Sequence, residues 1–478
     1  MEQNFLLKMA VFLPIVGAFL IPVANLLSKS IRNSFSVLIG ILTFFSTAFL
    51  IPVVLNNQSF SIVVNFPIGF DFILTADMLS VFMACVSSFV SMIILIYSVD
   101  YISHYENQTE YYSMVVLFLG SMMGLVFSSN LIWMYTFWEL TGFASWRLVG
   151  FFRSDRDVLK ANKTILVTFF GALCMLVGII MFYFEKGSLD MRALRGDNIS
   201  MLPSVLILIG ILSKSATLPF STWLPDAGVA PSTVTSLLHA AVLVKIGIYA
   251  YARIFGVTLI APETFSYGVM LIAGLSALVS AGAAFIETDI KRIIAYSTIS
   301  QLAFIFLGLA SGNKIAFAGG LLYILMHSLA KGGLFLCAGI IEQKTHTKDI
   351  TKMGGLFSSM PLTGVSFALC SLSVMGIPPL GGFFSKFLVF KGAIESGRII
   401  VFLMFLIGAM MTLLYLTRLF YLVFLGSHQK ENPPLEGSPV MVASVAFLAI
   451  AGIILGIIIS YPFNYVSLIS SQLGVNLQ

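Results

Sequence analysis

Apolar runs of about 20 residues recur along this chain, with only short polar stretches between them. That is the length an α-helix needs to cross the hydrocarbon core of a bilayer. In lipid the backbone can satisfy its own hydrogen bonds only in helices or closed barrels. Barrel strands alternate over roughly 10 residues, which these runs do not. The windows fall near 7–27, 34–55, 77–99, 112–128, 131–152, 163–184, 203–222, 232–256, 267–286, 292–310, 315–341, 360–394, 398–426 and 438–462. The first is rich in Pro and Leu and lacks a small-residue cleavage site, so it reads as a span rather than a cleavable signal. The longest polar stretches are 100–111, 153–163, 185–200, 342–355 and 427–437, and none can hold a soluble domain. Only 10% of the residues are charged and 58% are hydrophobic. A soluble domain carries about 25% charged residues, so neither a soluble globule nor a disordered chain fits. The expectation is an all-α polytopic membrane protein of about 14 transmembrane helices, one membrane domain over 1–478.

The net charge of +5 comes without a basic stripe or an aromatic-basic module, so nucleic acid is not an expected partner. Cys85, Cys174, Cys337 and Cys370 lie far apart in apolar runs, with no Cys-x-x-Cys pair. Iron–sulfur, zinc and haem-attachment patterns are therefore missing, and no cofactor is expected in this chain. Lys and Arg outside the windows number roughly 12 on the side that includes Arg153, Lys291 and Lys348, and roughly 7 on the side of the termini. The positive-inside rule then puts both termini outside the cytoplasm, in the cell membrane.

Two windows are interrupted. One reads Lys214-Ser-Ala-Thr-Leu-Pro219-Phe-Ser-Thr-Trp-Leu-Pro225-Asp226, and the other Gly376-Ile-Pro378-Pro379-Leu-Gly381-Gly382-Phe-Phe-Ser-Lys386. Proline removes an amide donor and kinks a helix, and the freed carbonyls need protein or water partners at membrane depth. The breaks fall in the seventh and twelfth windows. Paired breaks in corresponding places mark repeat-built transporters, and an odd offset of five spans makes the two repeats inverted.

A charge at the bilayer centre costs about 2.5–3.5 kcal/mol on insertion scales. Yet Arg147, Lys214, Lys245, Lys331, Lys386, Lys391 and Arg418 all fall inside windows, with Glu139 the one deep carboxylate and His239 and His327 beside them. Lys391 and Arg418 are close enough to span ends to snorkel. Lys214, Lys245, Lys331 and Lys386 are deeper and outnumber the acid. Static pairing needs about equal numbers of each sign, whereas a desolvated lysine can shed its proton and become a carrier. His327 and Lys331, four apart, share one helix face. His239 and Lys245, six apart, would point about 120° apart on a regular helix. Each interrupted window carries one lysine, Lys214 or Lys386, beside its break.

Trp138-Glu139-Leu-Thr-Gly-Phe-Ala-Ser145, the Lys214–Ala227 segment, Ser236-Leu-Leu-His239, Asp289–Gln301, His327-Ser-Leu-Ala-Lys331 and Gly376–Lys386 together resemble the antiporter-like proton-translocating subunits of respiratory complex I. The same family includes subunits of Mrp-type Na+/H+ antiporters and of membrane-bound hydrogenases. The resemblance covers roughly residues 70–425. It implies two inverted five-helix repeats, about 112–256 and 267–426, each with a discontinuous helix. It implies Glu139 and Lys214 as the coupled pair of the first half-channel, His239 and Lys245 as its link to the centre, His327 and Lys331 as the continuing hydrated axis, and Lys386 as the end of the second half-channel. Arg147, two turns after Glu139, departs from the pattern and could compete for Glu139 or bind an acid of a neighbouring subunit. The chain stops soon after its fourteenth window, which the resemblance reads as a middle or Mrp-like member.

Two functions follow from that resemblance. The first is an ion-translocating subunit, moving protons alone or exchanging Na+ for H+, of a redox-driven complex of the complex I or hydrogenase type. Its partners would be other membrane subunits, a homologous antiporter-like subunit and a redox module. The second is a subunit of an Mrp-type Na+/H+ antiporter without redox chemistry. Both use the same residues.

Overall fold

A computed structural model describes residues 2–56, 59–66, 70–427 and 435–472. Among them, eleven helices are long and apolar enough to cross a membrane. The helix Leu131–Val149 and the two interrupted spans complete fourteen segments, which correspond one for one to the fourteen windows. The chain is a polytopic α-helical membrane protein.

Local chemistry sets the helix starts. Asn130 accepts from the Ile132 amide (3.0 Å) to open Leu131–Val149, Asp289 accepts from Lys291 N and Arg292 N to open Ile290–Ala310, and Asn313 does the same for Lys314–Thr345. These side chains satisfy amides that the first helical turn leaves without partners. A short antiparallel hairpin, Phe60–Val64 with Phe72–Ala76, occupies part of a connection between spans.

Both interrupted spans stop and restart. Met201–Lys214 closes at Ser215, passes the left-handed Ala216 and the cis Leu218–Pro219 bond, and resumes at Trp223–Asp226, ahead of the next span, which opens at Ser232. Pro361–Met375 closes at Gly376, whose φ of +85° suits only a residue without Cβ, then passes the cis Pro378–Pro379 bond and resumes as Gly381–Glu395. Gly382 lies so close to the preceding half-helix that a Cβ there would overlap the Ser373 carbonyl. Gly382→Ala is therefore expected to force the two halves apart, at about 1–3 kcal/mol for overpacking. The measurement is the thermal stability of the purified protein, and an unchanged midpoint would show that this contact yields freely.

Two compact units can be distinguished. One comprises Met1–Ser215, Ala241–Phe265 and Leu468–Leu477; the other comprises Ala216–Ala240 and Ser266–Ser467, with Gln478. These units are cut by packing and the expected repeats by chain order, so their boundaries differ: the segment after the first break packs with the second unit.

Burial separates the helices by role. The apolar window of Glu2–Leu27 is 33% buried, whereas those of Ser232–Thr258 and Lys314–Thr345 are 100% and 94% buried. The last two carry His239, Lys245, His327 and Lys331, so these polar groups are on helices shielded from lipid, as their desolvation cost requires.

Candidate functional site

In the first unit, Lys214 ends its half-helix and Glu139 is midway along Leu131–Val149. Lys214 is 1% exposed, and its Nζ donates to the carbonyl of Trp138 at 3.0 Å, with the Trp138 ring centroid 5.4 Å away. A cation at a helix C-terminus is favoured by the helix dipole. Gly142 clears the space: a Cβ there would meet Lys214 Nζ at 3.2 Å. Glu139 is half-buried and makes no direct salt bridge to Lys214 among the described residues, although the two groups interact electrostatically. Its Oε1 has no hydrogen-bond partner among the described residues. The expected pair is thus adjacent through the backbone of Trp138 rather than in contact.

Lys245 is fully enclosed on Leu243–Tyr251. Two residues on, Gly247 lets that helix close on the end of the Lys214 half-helix; a Cβ would lie 2.6 Å from Ile211 O and 3.0 Å from Ser215 Cβ. The two lysines therefore belong to helices in direct contact. The regular spacing assumed between His239 and Lys245 is not kept. A π-helical turn, Leu237–Ala241, and the irregular Val242 (φ −128°, ψ −73°) lie between them, so the 120° offset of an ideal helix does not apply.

In the second unit, one helix gathers the groups. Tyr323, His327, Lys331 and Phe335 follow at four-residue steps along Lys314–Thr345 and form a stripe. At one end, the Phe335 ring is 4.4 Å from His239, centroid to centroid. At the other, the Tyr323 ring meets His327 edge-on at 6.1 Å and faces Lys386 Nζ at 5.6 Å. Lys331 Nζ donates to Ser297 Oγ (2.5 Å) and Ile294 O (3.3 Å). Lys386 Nζ donates to Val374 O (2.7 Å), a carbonyl in the last turn before the break, and is 4.7 Å from the Phe304 ring centroid. The break thus supplies the lysine's acceptor. His239, His327, Lys331 and Lys386 are each under 5% exposed.

Other charges resolve into structural pairs. Arg147 does not turn to Glu139: with Arg153 it pairs with Glu110. Lys391 pairs with Glu395 at 3.9 Å, and Arg418 donates to Glu287 O at 3.0 Å, as anchors near span ends should. Three features escaped the sequence reading. Arg253, inside the 232–256 window, forms a bidentate pair with Asp77 (2.6 and 2.7 Å). Lys291, counted among loop cations, is 1% exposed and pairs with Glu342 at 2.8 Å, as does Lys348 at 3.1 Å. The third is Tyr323. Arg253 carried a legible signal, its place in an apolar window; Lys291 and Tyr323 carried none, because their partners come from distant segments.

Residues 128–412 match the family described as NADH:quinone oxidoreductase/Mrp antiporter, transmembrane, and residues 63–112 match that of the complex I chain 5 N-terminus. The Na+/H+ antiporter subunit A1 of Staphylococcus saprophyticus is 32% identical over 95% of this chain, and that of Staphylococcus haemolyticus 31% over the same share. The chain spans 61% of the length of these relatives. Its fold is that of a chain in the Mrp complex from Dietzia sp. DQ12-45-1b (TM-score 0.89, 20% identity) and of one in the archaeal membrane-bound sulfane sulfur reductase (TM-score 0.90, 21% identity). Each alignment covers 98% of this chain and 97% of the other. With well over half its length matched, this chain belongs to the NADH:quinone oxidoreductase/Mrp antiporter transmembrane family.

Proposed function

We propose that this chain is an ion-translocating subunit of a multi-subunit Na+/H+ antiporter in the cell membrane, moving protons along its buried Glu, Lys and His side chains. One observation carries the reading. Lys214, Lys331 and Lys386 are all enclosed, and the groups that hold them include backbone carbonyls. A carbonyl accepts a hydrogen bond from an ammonium but brings no counter-charge, which suits a group that carries a proton rather than one fixed in a static ion pair. The names of the Staphylococcus relatives put sodium–proton exchange ahead of the redox-driven alternative.

In this reading Glu139 and Lys214 form the first exchange pair, with Lys245 beside them, and His239, His327, Lys331 and Lys386 serve the second half. The repeats about 112–256 and 267–426 are inverted copies, a reading supported by the half-helix, break and restart that each contains. The partners are other membrane subunits, and both termini face away from the cytoplasm, following the loop charges.

The test is the intact assembly, purified and reconstituted into vesicles with a pH-sensitive dye inside. An imposed Na+ gradient is expected to drive proton movement, and Glu139→Gln to slow it at least about tenfold, within the range of a positioned acid–base group. Movement driven only by a reductant would overturn the antiporter reading in favour of a redox-driven complex. An unaffected Glu139→Gln assembly would remove Glu139 from the relay.

A further inference from the structure

The second unit holds a connection between Lys331 and Lys386 that does not pass through His327. Ser297 and Gln301 lie one turn apart on Ile290–Ala310, Tyr323 is on Lys314–Thr345, and Thr412 and Tyr415 are on Ile399–Phe420. All five are fully enclosed. Lys331 Nζ donates to Ser297 Oγ (2.5 Å), and Tyr415 Oη donates to the same oxygen (2.9 Å). Gln301 Nε2 donates to Tyr415 Oη (3.3 Å) and Thr412 Oγ1 (3.2 Å), while Gln301 Oε1 accepts from Tyr323 Oη (2.7 Å). The ring of that tyrosine faces Lys386 Nζ at 5.6 Å. An apolar set of the same shape would avoid desolvating five polar groups, so packing alone is a poor account of this choice.

Gln301 is the hub. A carboxamide carries protons badly, because a proton taken at Oε1 must be matched by one lost from Nε2, leaving the unstable imidic acid. It is well suited to reorientation, since half a turn about its last bond exchanges Oε1 and Nε2 at nearly the same positions. As observed, the donors run Tyr323 to Gln301 to Tyr415 to Ser297 and meet the Lys331 nitrogen at Ser297 Oγ. That arrangement suits a neutral Lys331: with Tyr415 donating to Ser297 Oγ, the serine can turn its own proton to the free amine and the Lys331–Ser297 bond reverses. A charged Lys331 opposes it, because every donor points its positive end at the ammonium. After the half turn, Tyr415 donates to Oε1, Ser297 Oγ is left to the ammonium, and Nε2 donates to Tyr323 Oη. Every group keeps a partner, and the hydroxyl dipole of the tyrosine whose ring faces Lys386 has turned.

We propose that Gln301 is a positioning residue that couples the proton occupancy of Lys331 to that of Lys386 by turning its amide between these two arrangements. The proposal deepens the proton-relay reading and rests on it. The titratable groups facing the network are Lys331, His327, Tyr323, Tyr415 and Lys386.

The experiment compares Gln301→Leu, Tyr415→Phe and their double variant with Lys331→Met and Lys386→Met, all in the reconstituted assembly. Tyr415→Phe removes one oxygen and keeps the ring, so it tests the link if the Gln301 variant fails to assemble. Each of the two network variants is expected to lower proton-coupled transport by about tenfold, within the usual range of coupling between sites. The double variant is expected to be no slower than the worse single, since both act through one element. The pH of half-maximal rate is expected to move by about one unit, the equivalent of that tenfold change. If Lys331→Met and Lys386→Met abolish transport while the network variants keep the wild-type rate and pH profile, the coupling is wrong and the relay stands. If the lysine variants also transport normally, the relay reading itself fails. A lower rate with an unmoved pH profile marks a merely structural role and overturns the proposal.

Discussion

Lys386→Met, introduced into the intact assembly, is expected to cut proton-coupled transport on the order of 100-fold, the scale on which a positioned proton-transfer group acts. The substitution isolates the amine. Methionine fills most of the lysine volume against Phe304 and Tyr323, whose rings lie 4.7 and 5.6 Å from Nζ. Stability should change little: the variant loses a donor to Val374 O but no longer desolvates a charge. Lys214→Met is expected to behave alike, because its amine is 1% exposed and held by a carbonyl in the same way. Lys391→Met is the control. That lysine pairs with Glu395 at 3.9 Å, half-exposed near a helix end, and its loss should alter the rate less than about twofold, as expected of an exposed pair. Dye-reported proton flux in vesicles separates these outcomes. Wild-type flux in both Lys214→Met and Lys386→Met would sink the relay.

The largest effect on stability belongs to a different charge. Arg253→Met is expected to destabilise the protein by about 3–5 kcal/mol, the cost of leaving one member of a buried ion pair without the other. Asp77 and Arg253 are each 9% exposed at the side chain, and their fork-to-fork contact is the closest fit of cation to carboxylate that geometry allows. Arg253 Nε also donates to Tyr249 Oη (3.0 Å), which donates to Val126 O (2.5 Å). Asp77 further caps Met78–Tyr101 by accepting from Ser80 N at 2.9 Å, with Ser80 Oγ returning the bond to the Asp77 amide. The double variant Asp77→Asn, Arg253→Met should recover part of the loss, because no lone buried charge remains. Thermal unfolding in detergent measures both. The transport rate per folded complex should stay near wild type, which distinguishes this static pair from the relay lysines. A fall in that rate alone, with an unchanged melting temperature, would move Arg253 into the transport path.

Much of the architecture was legible in the chain. The fourteen apolar windows match fourteen helical segments because the length of a span depends only on bilayer thickness and helix rise. Both breaks were legible because Pro219, Pro225, Pro378 and Pro379 cannot continue an α-helix undisturbed. His327 and Lys331 fall on one face because a four-residue step in a regular helix fixes that. The same rule failed between His239 and Lys245, where a π-turn changes the number of residues per turn. Arg147 is instructive in another way. Its sequence neighbour on the helix was Glu139, but its partner, Glu110, lies 37 residues away on the preceding helix.

The sequence by itself determined which residues are too polar for lipid, and so which side chains had to be placed inside the protein. That inference needs only the cost of moving a charge out of water, a property of the side chain alone. Only the tertiary structure decided what each charge meets there: carbonyls for Lys214 and Lys386, Ser297 for Lys331, a carboxylate for Arg253 and for Lys291. Nothing in the spacing of the chain separates a lysine held by a carbonyl from an arginine held by an aspartate 176 residues away. The physical reason is that contacts between helices are set by how their faces pack, and packing brings together residues whose separation along the chain carries no trace of it.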